Sequence, residues 1–214
     1  MHCEAGLRWR TVETLRTSKK SKAAASEPIC LSCGLCCDGT IFGDVKLVPG
    51  DDAGSLMSLG LRVLGSSSKR PGAAVPANPT LRFLQPCSAL NGCRCRIYGS
   101  RPRHCRHFEC ILLKKVEENR ITRSQALRVI RVARARAQKV RRFLRGLGDD
   151  DESAALADRF RRTTRRLERA KPQEKAAELY RQLTLAFHDL NLLIHEAFYI
   201  PPQTDPFAGR PKGA

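Results

Sequence analysis

Cys30-Leu-Ser-Cys33-Gly-Leu-Cys36-Cys37 places four cysteines within eight residues. Cys87, Cys93, Cys95, Cys105 and Cys110 follow, so nine of the ten cysteines fall between residues 30 and 110. Cys3 lies in a polar N-terminal segment. A thiol must lose its proton to bind a metal, and crowded thiolates repel one another unless a cation holds them. The C-x2-C spacing lets two sulfurs reach one metal across a tight turn, and Gly34 supplies the backbone freedom such a knuckle needs. C-x2-C-x2-C also opens the bacterial ferredoxin run, in which thiolates ligate iron–sulfur clusters. Here Cys37 follows Cys36 at once and no Cys-Pro closes the run. Adjacent side chains point in different directions, so Cys36 and Cys37 are expected to serve different metals or different edges of one cluster. A disulfide framework and unliganded thiols are the alternatives. No apolar signal-like segment precedes the cysteines, which argues against an oxidising compartment and for a cytoplasmic, metal-binding protein.

Around the cysteines the sequence predicts short elements. Val45 and Leu47 alternate as in a strand over 41–48, which Pro49-Gly50 ends. Asp51 or Asp52 caps a short helix that reaches Leu59 and stops at Gly60. Residues 61–64 and 81–84 read as further strands, and the Gly/Ser/Pro-rich residues 65–80 as a surface loop. Asn91-Gly92 is a turn signal that brings Cys87 back toward Cys95. Pro102 opens a helical turn that presents Cys105. His104 and His107 are candidate nitrogen ligands, read as supporting or solvent-facing groups in the presence of so many thiols.

Taken together, Cys30-x2-Cys33-x2-Cys36-Cys37, Cys87, Cys95-Arg-Ile-Tyr98 and Arg101-Pro102-x2-Cys105-Arg106-x-Phe108-x-Cys110 resemble the YkgJ-type CxxCxxCC cysteine-cluster family. That family is described as zinc- or iron-chelating, and related motifs occur in flagellin lysine-N-methylases. The resemblance spans residues 30 to 110 and implies metal ligation by Cys30, Cys33, Cys36, Cys37, Cys87, Cys95, Cys105 and Cys110. Cys93 departs from the pattern and stands as a ninth candidate. The cofactor expected is an iron–sulfur cluster or Zn2+, the metal left open.

Beyond residue 110 the sequence changes character. Thr122-x-x-Gln125 reads as a capping box, and Ala126, Ile130, Ala133, Ala137, Val140 and Leu144 form one helical stripe. Ten Lys/Arg and no acid lie between Arg120 and Arg145. Residues 146–151 break this helix. Leu156, Phe160, Thr163 and Leu167 mark a second. After Lys171-Pro172, Ala176, Leu179, Leu183, Ala186, Leu190, Leu193 and Ala197 mark a third. His188 and His195, with Asp189 and Glu196, are a minor metal alternative.

The fold expected is a small irregular α+β metal-binding domain with short strands, followed by an α-helical C-terminal region. Its divisions are a flexible basic arm (1–29, with Trp9), a cysteine-cluster domain (30–113), an α-helical basic region (114–200) and a Pro/Gly-rich tail (201–214). The chain has 214 residues and a formal net charge of +18. Residues 111–214 alone contribute +10 of it. Such charge favours a nucleic acid or an acidic protein as partner, through the basic helix 120–145. No run of residues is apolar enough to span a membrane. Three functions follow: a redox or cluster-carrying metal protein, a zinc-structured nucleic-acid binder, or a component of a methylase-like enzyme that modifies protein side chains. No Gly-rich cofactor loop and no nucleophile–base pair supports the last, so enzymatic activity is left open and no catalytic residue is assigned.

Overall fold

The computed structural model describes residues 27–65, 81–170 and 173–199. The architecture is mixed α+β and mostly helical, with short strands confined to the first half. The N-terminal arm, the segment 66–80 and the C-terminal tail lie outside the described residues.

The strands build two small antiparallel sheets. β1 (Asp44–Lys46) and β2 (Val63–Gly65) both pair with β3 (Leu81–Leu84), which is central. Val45 and Val63 lie opposite Phe83 from either side, so the buried aromatic ring is flanked by two β-branched residues, a pairing suited to a pleated surface. α1 (Ala53–Ser58) is capped by Asp52, which accepts from Ser55 N at 2.9 Å. Its Leu56 joins Leu47, Leu61, Phe83 and Ala89 in a core of five buried residues. The Asn91-Gly92 turn forms a hairpin between β4 (Leu90–Asn91) and β5 (Arg94–Cys95).

After α2 (Arg103–His107) comes α3 (Ile111–Glu117), a short helix with no counterpart in the sequence reading. Its cap is a sulfur: Leu113 N donates to Cys110 Sγ at 3.4 Å. Asn119, at φ 57°, ends it in the left-handed region that asparagine tolerates.

Three longer helices hold the main core. α4 (Arg123–Gly146) carries the predicted capping box at Thr122 and Gln125. Its buried residues are Ala126, Ile130, Ala133, Ala137, Val140 and Leu144, the expected stripe. The small side chains along it let α6 (Glu174–Ala197) pack closely through Leu183, Ala186, Leu190, Ile194 and Ala197. α5 (Leu156–Arg169) completes the group, with Phe160 stacked on Phe187 at a centroid distance of 4.0 Å. Ile29, Leu35 and Leu112 belong to this same core. The first cysteine knuckle is therefore packed on the helices rather than on the sheet.

The turn between α4 and α5 is fixed by charge. Asp149 is buried and accepts from Arg159 Nε at 3.0 Å, from Arg162 Nε at 2.9 Å and from Thr163 Oγ1 at 3.4 Å. Side-chain exposures of 2% for Arg159 and 3% for Asp149 mean that removing either partner strands a charge away from water. Asp149→Ala is expected to cost about 3–5 kcal/mol in urea unfolding, whereas Arg165→Ala on the exposed side of α5 stays within about 0.5 kcal/mol. A loss for Asp149→Ala as small as that for Arg165→Ala would show that the pair does not hold the turn.

Candidate metal centre

The knuckle begins as a 3-10 turn over Ile29–Ser32, closed by Cys33 N donating to Cys30 O at 3.2 Å. Gly34 then takes φ +73°, and a Cβ there would meet Cys93 Cα at 3.1 Å. Glycine is thus required twice, for the turn and for the close approach of the β4–β5 hairpin. Gly34 O accepts from both Cys37 N and Asp38 N at 2.9 Å, which turns Cys37 away from the first part of the knuckle. Cys87 N donates to Cys37 O at 2.8 Å and ties the second cysteine group to the first.

The electrostatic neighbours of the thiols divide the eight cysteines into two foursomes. Cys36 is raised by burial and then by Cys33, Cys37, Cys110 and Cys30. Burial pushes Cys33 up to about 12, with Cys110 and Cys30 adding to it. Cys37 is pushed far up by burial and then by Cys87, Cys105 and Cys95. Cys105 rises to about 12 by burial, with Cys87 and Cys95 contributing. One foursome is therefore Cys30, Cys33, Cys36 and Cys110, and the other is Cys37, Cys87, Cys95 and Cys105. Among these strongest neighbours the two meet only at the Cys36–Cys37 bond.

Each foursome lies on a different core. Cys33 and Cys110 pack against the helical cluster, Cys87 and Cys105 against the small sheet cluster. All nine described cysteines are half-buried, and none is in a disulfide.

Backbone N–H groups are aimed at several sulfurs. Leu35 donates to Cys33, Ala89 and Leu90 to Cys87, and Leu112 and Leu113 to Cys110, each favouring the thiolate. Positive charge is also close by. Arg101 acts on Cys30 and on Cys105, hence on both foursomes, and Arg96 acts on Cys87. Arg101 is held by its Nε donating to Tyr98 O at 2.9 Å and by stacking 3.6 Å over the Tyr98 ring. Tyr98 in turn hydrogen-bonds the Cys30 thiol. Arg141 of α4 reaches Asp38 Oδ2 at 3.1 Å and Thr40 Oγ1 at 3.0 Å, joining the knuckle to the helices.

Among the described residues, no group of three or more His, Cys, Asp or Glu side chains is already placed to hold a metal ion. The foursomes are neighbours rather than closed ligand shells. The donor chemistry nonetheless suits a soft cation: four thiols per group, N–H donors on the sulfurs and guanidinium charge beside them. Cys93 packs on Gly34 through its Cα, carbonyl O and Cβ. His104 Nδ1 lies 2.7 Å from Lys46 O. His188 and His195 are exposed on α6, where His195 packs its ring 4.8 Å from Tyr199.

The basic helix is less free than its composition implies. Arg123 donates to Glu27 O, Arg136 to Asp189 O, Arg141 to the knuckle and Arg145 to Glu152. Four of its cations thus act as clamps within the chain. No helix among the described residues is long and apolar enough to cross a membrane. No family model, curated protein or solved structure matches the chain.

The raised thiols carry a sign. A group with a raised folded-state pKa holds its proton longer in the folded chain, so its stabilisation is complete below the unfolded value of 9.0 and is lost as pH rises through the folded value. Metal-free protein is expected to lose stability steadily between pH 9.0 and about 12, read as a falling urea midpoint. Metal-loaded protein, its thiols already ionised by ligation, should not show that loss. Equal pH dependence of the two forms would contradict this origin.

Proposed function

We propose that the chain is a metal-binding cysteine-cluster protein with two four-thiolate centres, one formed by Cys30, Cys33, Cys36 and Cys110 and the other by Cys37, Cys87, Cys95 and Cys105. The observation that carries this reading is the sorting of eight thiols into two foursomes on either side of one peptide bond. Its resemblance to the CxxCxxCC family points the same way. All-thiolate donors select zinc or iron–sulfur centres over hard cations. A divalent ion with four thiolates is dianionic, and Arg101 and Arg96 offset part of that charge.

The two metals would serve different ends. Zinc held by four thiolates has no open position for substrate, so it would act by fixing the junction between the cores. An iron–sulfur centre in the same ligands would add electron transfer or cluster delivery. In either case the sulfurs close the remaining distance as the metal binds, so loading and local ordering are one event.

The test is metal content per chain on protein purified without oxygen, with a visible spectrum. Two closed sites predict either about two zinc and no colour, or iron with matching acid-labile sulfide and a brown colour. Cys33→Ser and Cys105→Ser should each remove about half of the metal and leave the other site filled. Complete loss from either variant would mean one shared centre. Wild-type protein without zinc or iron would refute the proposal.

A further inference from the structure

The arginines of α5 are divided between structural and unclaimed positions. Arg161, Arg162, Arg165, Arg166 and Arg169, with Asp158, line an open groove of about 760 Å³ along one face of the helix. Arg162 is fixed to Asp149 and Asp151, and Arg166 donates to the carbonyls of Leu147 and Gly148. These two are committed to contacts within the chain. Arg161 is shared with Asp158 at 2.7 Å. Arg165 and Arg169 are exposed, and among the described residues neither has an acidic partner. Residues four apart on a helix rise by about 6 Å, so Arg161, Arg165 and Arg169 present a ladder of guanidinium groups spaced like the phosphates along a strand. A guanidinium fork matches phosphate geometry and stays charged.

We propose that this face of α5 docks the phosphodiester backbone of a nucleic acid, with Arg165 and Arg169 as the contacting residues. The surface suits that partner better than a bilayer, because no large apolar side chain is exposed on α5 to enter lipid. Among the described residues no aromatic ring lines the groove, so binding is through phosphates and independent of base sequence. The site differs from the basic helix 120–145 expected from composition, where Arg136, Arg141 and Arg145 are spent on contacts within the chain. It is also independent of the metal reading.

The experiment uses the full chain with its native metal content and a fluorescein-labelled oligothymidylate of about 16 nucleotides, the upper site size of a single module. A duplex of the same length is the second arm. The Arg165→Glu/Arg169→Glu variant is compared with Arg128→Glu/Arg131→Glu on the exposed side of α4, which changes the net charge equally. The α5 pair is expected to weaken binding at least tenfold on one or both arms. It should also flatten the slope of log K against log salt for the single strand by about 1.4, from two lost phosphate contacts at about 0.7 each. The α4 pair should change affinity less than threefold. Equal losses for the two variants would overturn the assignment to α5. So would absence of wild-type binding at about 50 mM salt, or displacement of the oligonucleotide by phosphatidylserine vesicles. Unchanged metal content in both variants separates this result from the fate of the two centres.

Discussion

Eight thiols are gathered where two hydrophobic cores meet, and they repel one another as soon as they ionise. Burial opposes ionisation as well, so the protonated thiols contribute no attraction across the junction. Among the described residues the sheet core has five buried residues, too few to be stable without help. Cys33 and Cys110 abut the helical core while Cys87 and Cys105 abut the sheet core. A cation in each foursome would convert the repulsion into the strongest local attraction. It would also stabilise the part of the chain with the least apolar area.

The arginines divide in a comparable way. Some act as internal fasteners: Arg141 holds the knuckle, and Arg159 and Arg162 hold the turn through Asp149. Arg101 acts on one thiol of each foursome, Cys30 and Cys105. A net charge of +18 is therefore a poor measure of the surface offered to a partner. The helix richest in cations, α4, commits four of them to contacts within the chain.

Legibility from sequence followed the strength of the local signal. The α4 stripe and its capping box were readable because a 24-residue helix repeats its pattern several times. Asn91-Gly92 announced the hairpin because the turn needs that chemistry, and Asp52 announced α1. α3 gave no such notice: it is seven residues long, buries only Leu112, and is capped by a cysteine rather than by Ser, Thr, Asp or Asn. Arg159 was invisible because burial of an arginine depends on Asp149, ten positions away. In α6 the expected Leu193 is half-buried and its neighbour Ile194 is buried instead, while Ala197 is buried as expected. The cysteines were identifiable as a set. Of their division only the separation of Cys36 from Cys37 was expected, because the grouping of Cys110 with Cys30 and of Cys37 with Cys87 depends on how the hairpin and α3 fold back on the knuckle.

X-ray absorption at the edge of the bound metal tests the central claim most directly, because it reads the identity of the ligand atoms. The account predicts an all-sulfur first shell of four atoms, at about 2.3 Å for zinc. A shell containing nitrogen or oxygen would contradict it, since it would bring His104, His107 or solvent into a centre that the eight thiolates are argued to close by themselves.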